Sequence, residues 1–126
     1  MNIAFDIDDT ITRHPVFFAL VSQALVQAGH RVLILTFRDE HYRETTEADL
    51  HTWGITYDQL ICWSMETCDL ADIDTWKAEE CRRHGVDVFF EDDPDVLARV
   101  DAATVCFMPF GSVSKSQKWN LTTARR

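Results

Sequence analysis

Apolar runs and stretches of helical periodicity alternate along this chain from its first residue. Residues 1–5 (MNIAF) are almost continuously apolar, the pattern of a strand covered on both faces. In PVFFALVSQALVQA (15–28) the apolar positions Phe17, Leu20, Val21, Ala24, Leu25 and Ala28 recur at helical spacing. Pro15 stands where a first helical residue belongs and Gly29 where a C-terminal cap belongs. RVLIL (31–35) is a second buried strand, so these residues predict a βαβ unit with parallel strands and a right-handed crossover. The alternation continues with a polar helix over 39–53, a strand over 57–63 and an acidic connection over 64–74. A helix over 75–84, a strand over 86–90, a helix over 94–100 opened by Asp93 as N-cap, and a strand over 104–108 complete it. The expected architecture is α/β: a three-layer sandwich around a five-stranded, mainly parallel, Rossmann-like sheet. Residues 1–110 form its core, and the polar stretch 111–126 reads as a C-terminal tail.

Composition narrows the class. A length of 126 residues fits one domain, and 46% hydrophobic with 26% charged residues is ordinary for a globular protein. No apolar run of membrane-spanning length exists, and the N-terminus reads as strand rather than signal peptide. Cys62, Cys68, Cys81 and Cys106 form no CxxC pair, so a reduced cytoplasmic protein without structural zinc is expected. A net charge of −9 argues against non-specific nucleic-acid binding, which draws on counterion release by cations. A phosphorylated substrate stays compatible with that charge if a metal ion supplies the missing cation.

Ligands of such sheets bind beyond the carboxyl ends of the strands, near the switch in strand order. The expected tips carry an unusual load of acid. Asp6, Asp8, Asp9 and Thr10 follow the first strand; Thr36, Phe37 and Arg38 follow the second; Glu91, Asp92 and Asp93 follow the fourth. Lys77 falls at the start of the helix leading into that fourth strand. Two unit charges about 4 Å apart repel by roughly 4 kcal/mol at an effective dielectric of about 20. A few such terms rival a whole domain's stability of roughly 5–15 kcal/mol. The cluster therefore calls for a bound cation or raised pKa values, and an oxygen-only ligand set favours Mg²⁺.

At these residues the chain resembles the haloacid dehalogenase-like (HAD) superfamily of phosphohydrolases. Asp6-Ile7-Asp8-Asp9-Thr10 is similar to its DxDxT motif, Thr36 in LILTF to its second motif, Lys77 in TWKAEE to its third, and VFFEDDPDV to its fourth, all in order. The resemblance implies a phosphomonoester phosphatase working through an aspartyl-phosphate on Asp6. Asp8 would be the proton donor and acceptor, Thr36 would bind the phosphoryl oxygens, and Lys77 would neutralise developing charge. Thr10 and Phe37 would help to hold the substrate. Mg²⁺ would be held by the Asp6 carboxylate, the Asp8 carbonyl, Asp92 and the neighbouring Glu91. Asp9 matches a variable position and receives no role.

Asp8 at the second acidic position favours phosphoester hydrolysis over dehalogenation or ion pumping within that resemblance. The short spans between motifs imply a capless or minimally capped member. An open site suits a phosphoprotein, a nucleic-acid end, or a small phosphorylated molecule covered by a neighbouring subunit in a homo-oligomer. Two other classes compete. A response-regulator receiver domain needs a phosphoacceptor Asp ending the third strand and a Lys ending the fifth, where LICWS and CFMPF have neither. A catalytically idle HAD-like binding module would have no need of four intact motifs. His14 and Arg38 are read as bystanders at the mouth of the site.

Overall fold

The computed structural model describes residues 1–68 and 73–109; the expected tail 111–126 and the middle of the 64–74 connection lie outside them. Five strands, β1 (Asn2–Phe5), β2 (Arg31–Asp39), β3 (Gln59–Trp63), β4 (Val88–Phe90) and β5 (Val105–Phe107), pair in the order β3-β2-β1-β4-β5. Every pairing is parallel. Among the described residues four α-helices alternate with them: α1 (Pro15–Gln27), α2 (Arg43–Thr52), α3 (Ile73–Arg83) and α4 (Pro94–Leu97).

Strands β1 to β4 send apolar side chains to both faces, where helices cover them, whereas Val105 and Phe107 of the edge strand β5 are exposed. Phe5, Ile34 and Leu60 point into one buried cluster with Phe18 of α1 and Leu50 of α2. Ala4, Leu33, Leu35 and Phe89 point into the other, with Trp76 and Cys81 of α3 and Val96 of α4. Phe5, Phe18 and Phe90 meet edge-on with ring centroids 5.1–5.7 Å apart, clamping α1 onto the centre of the sheet. Among the described residues no helix is long and apolar enough to cross a membrane.

The caps behave as their residue types demand. Pro15 opens α1, Gly29 follows it at φ +88°, and the Asp93 carboxylate accepts from the Asp95 N–H at the start of α4. The end of the second strand departs from expectation. The sequence predicts that the second strand ends at Leu35 and a helix begins at Asp39. Instead β2 runs on to Asp39 through a register shift between Thr36 and Asp39, and a 3₁₀ turn (Glu40–Tyr42) precedes α2. The cause is tertiary: Asp39 pairs with Trp63 of β3, and that ladder holds the bulged segment extended.

Strand order reverses at β1, whose neighbours β2 and β4 leave it in opposite directions. The crevice beyond the carboxyl ends of β1 and β4 is thus where this architecture places a ligand.

Candidate functional site

The first tip is a tight turn, Ile7–Ile11, pinned by two fully buried side chains, Ile7 and Ile11. Asp9 takes the left-handed conformation at φ 63°, which Asp tolerates better than most residues. Its N–H donates to Thr12 Oγ1 at 2.8 Å and its carboxylate accepts from Arg13 at 3.2 Å. Asp9 therefore shapes the turn. The Asp6 N–H donates to the Phe90 carbonyl at 3.0 Å and the Glu91 N–H to the Phe107 carbonyl at 3.1 Å, so the ladder carries the β1 and β4 tips to the same level.

Where the tips meet, three charges are buried together. Lys77 Nζ lies 2.6 Å from Asp6 Oδ1 and 2.6 Å from Glu91 Oε2. None of the three residues is more than 4% exposed. Glu91 Oε1 accepts the backbone N–H of Asp92 at 2.9 Å and of Asp93 at 3.1 Å. The ammonium also sits 4.4 Å from the centre of the Phe37 ring, which Trp76 backs at 5.6 Å. The Thr10 hydroxyl lies 3.1 Å from Asp6 Oδ2 and 3.3 Å from Asp92 Oδ1, and its single proton can serve either.

Burial sets the protonation of this group. Loss of hydration pushes Asp6 up to about 6, resisted by Lys77 and assisted by Asp92. Burial likewise pushes Glu91 up to about 9, with Asp6 adding to the rise and Lys77 opposing it. Burial alone would pull Lys77 down, but the two carboxylates outweigh it and hold it above the usual lysine value. Asp6 binds its proton more tightly in the folded chain. Its contribution to stability is therefore fully present below the ordinary value of 3.8 and lost as pH rises past about 6. In chelator, native protein should lose thermal stability relative to Asp6→Asn between about pH 4 and about pH 7. A gap that stays flat, or moves in favour of the native protein, would contradict this electrostatic picture.

A cleft of about 140 Å³ opens above the cluster, lined by Asp6, Asp8, Phe37, Lys77, Glu91, Asp92, Asp93 and Val96. Of the site residues expected from sequence, Asp6, Asp8, Phe37, Lys77, Glu91 and Asp92 thus share one cavity. Thr10 and Thr36 are buried and outside that lining. The Thr36 oxygen accepts the Arg38 N–H at 3.1 Å across the bulge. Lys77 stands in the second turn of α3 rather than the first, because the helix begins at Ile73.

Asp6, Glu91 and Asp92 can each bring a carboxylate oxygen within 4.8 Å of the others, close enough to share one ion. With all three carboxylates ionised they leave two negative charges against the one ammonium, and all donors are hard oxygens. An all-oxygen set of this kind is the type of donor that hard cations take.

Sequence reasoning placed Arg38 at the mouth of the site but gave it no role. Its Nε and Nη2 fork onto Asp8 Oδ2 and Oδ1 at 3.1 and 2.9 Å, while Nη1 reaches Asp49 of α2 at 2.9 Å. The guanidinium lies 5.8 Å from the centre of the Trp53 ring. The available signal was a cation two residues past the strand-end Thr36, facing an acid-rich turn.

A doubly wound, all-parallel sheet with a lysine-bridged acid cluster at its switch point defines this chain as a Rossmann-like α/β protein. No protein-family model matches it, nor does any curated protein. Among solved structures it is similar to a chain of the Pnkp1/Rnl/Hen1 RNA repair complex, with a TM-score of 0.68 and 24% identity over 86% of this chain and 42% of that one. A chain of a second structure of the Pnkp1/Rnl/Hen1 complex matches with a TM-score of 0.65 and 22% identity, over 86% of this chain and 45% of that one. The chain thus spans less than half the length of these neighbours, and the likeness is one of fold.

Proposed function

We propose that this chain is a Mg²⁺-dependent phosphatase that hydrolyses a phosphomonoester through an aspartyl-phosphate on Asp6. The carrying observation is the Asp6 carboxylate itself: buried at the β1 tip, gripped by Lys77, and facing an open cleft across from Asp92. The in-order resemblance to the four HAD motifs supports the same reading.

In that reading Asp6 attacks phosphorus, and Asp8 hands a proton to the departing oxygen. Lys77 offsets charge on the transferring group, and Phe37 walls the site beside it. Thr10 orients the Asp6 carboxylate from behind. Asp6, Asp92 and the Asp8 carbonyl would hold the metal. Glu91, already engaged by Lys77 and two N–H groups, serves best as the anchor of the lysine. Bound Mg²⁺ would supply positive charge for the phosphoryl oxygens.

Among the described residues only the turn Ile7–Ile11 separates β1 from α1, and only the 3₁₀ turn and α2 separate β2 from β3, which suits a site open to a large substrate. The neighbours' membership of an RNA repair complex makes a phosphorylated nucleic-acid end the first macromolecular substrate to compare with small phosphoesters. Purified chain with p-nitrophenyl phosphate should release nitrophenolate with Mg²⁺ and lose that activity in chelator. No turnover, or turnover indifferent to the metal, would count against the reading.

A further inference from the structure

Arg38 has no place in the proposed chemistry, yet it makes the most elaborate ion-pair contact at the mouth of the cleft. We infer that Arg38 is a positioning residue, which orients the Asp8 carboxylate to take a proton from the water that hydrolyses the aspartyl-phosphate. The inference rests on the phosphatase reading and extends it.

Three observations carry it. First, the Asp8 side chain is 61% exposed and stands on a tight turn, and the fork from Arg38 takes both of its oxygens. An exposed carboxylate on such a turn would otherwise sample several rotamers. Second, Arg38 is itself fixed. Asp49 holds its remaining terminal nitrogen, Trp53 lies under it, and its side chain is 23% exposed. Third, the bulge in β2 divides the duties of adjacent residues. Phe37 lines the cleft beside Lys77, while Arg38 reaches back to the β1 turn and α2. A simple surface ion pair would need neither the fork nor the support behind it.

The contact suits the second half of the reaction. A carboxylate whose two oxygens accept from a guanidinium is an oriented acceptor. The water oxygen bonds to phosphorus as the bond from phosphorus to the Asp6 oxygen breaks. That electron pair returns to the Asp6 carboxylate, and the water proton passes to an Asp8 oxygen. With a good leaving group such as p-nitrophenolate, the first half needs no proton from Asp8. A defect in Asp8 orientation should then appear only in hydrolysis of the intermediate.

The test is pre-steady-state and steady-state kinetics of Arg38→Ala and Arg38→Lys with p-nitrophenyl phosphate and Mg²⁺. Misplacement of a reacting group costs on the order of tenfold to a hundredfold. Arg38→Ala should lose that much kcat, with KM falling in parallel, kcat/KM little changed and a burst of nitrophenolate in the first turnover. Arg38→Lys keeps the charge without the fork and should fall between. Should the alanine variant fail to fold, the lysine variant alone decides, by the same burst and the same parallel fall. A role confined to structure would lower kcat/KM as much as kcat and give no burst, which would overturn the inference alone. Inactivity of the native chain would overturn it together with the phosphatase reading.

Discussion

Asp6→Asn is expected to lower hydrolysis of p-nitrophenyl phosphate by roughly 10⁴-fold or more, the scale on which removal of a covalent nucleophile acts. The substitution is nearly isosteric, so the cleft keeps its shape. Lys77 keeps its contact to Glu91, and the turn keeps its buried anchors Ile7 and Ile11. The loss should therefore appear in kcat, while the thermal midpoint at neutral pH shows a folded protein. An amide can neither form the acyl-phosphate nor supply an anionic ligand to the metal. Retention of even a tenth of native activity would remove Asp6 from the chemistry.

Lys77→Met should cost more stability than any other single change at the site. Methionine roughly fills the space of the lysine stem but leaves Asp6 and Glu91 facing each other, both buried, with no cation between them. Removing one partner of a buried ion pair costs about 3–5 kcal/mol. A typical domain has only about 5–15 kcal/mol to lose. Denaturant midpoints, read with and without Mg²⁺, give the measurement. The variant should unfold at much lower denaturant, and saturating Mg²⁺ should recover part of the loss by taking over the neutralising role. A variant as stable as the native chain would mean that the buried charges are not the strained cluster described here. On the proposed phosphatase reading, activity should vanish in the same variant, because Lys77 would no longer offset phosphoryl charge.

How much of this was legible in the sequence differs from residue to residue. The β1 tip was, because an apolar run stopping dead at three carboxylates in four positions has few structural explanations. The pairing of the β1 tip with Glu91 and Asp92 was legible too, since a strand-helix alternation fixes which ends of the strands share a face. Lys77 was found by its place before the fourth strand, although no periodicity reveals that it is buried.

What escaped depends on contacts between distant segments. β2 continues past Thr36 because Asp39 pairs with Trp63, and nothing local in TFRD announces a bulge. The fork from Arg38 to Asp8 spans 30 positions of sequence. The split duty of Glu91, Lys77 on one oxygen and two backbone N–H groups on the other, follows from the exact end of β4. The shorter strands and the four-residue α4 mark the same limit, since their ends are set by ladder and cap partners rather than by hydropathy.

The central claim is that Asp6 carries the phosphoryl group. Acid quenching of the chain during turnover, followed by peptide mass spectrometry, reads it directly. The account predicts one phosphoryl group on the peptide that contains Asp6, absent when Mg²⁺ is withheld. Steady turnover with the phosphoryl group trapped on another residue would contradict it.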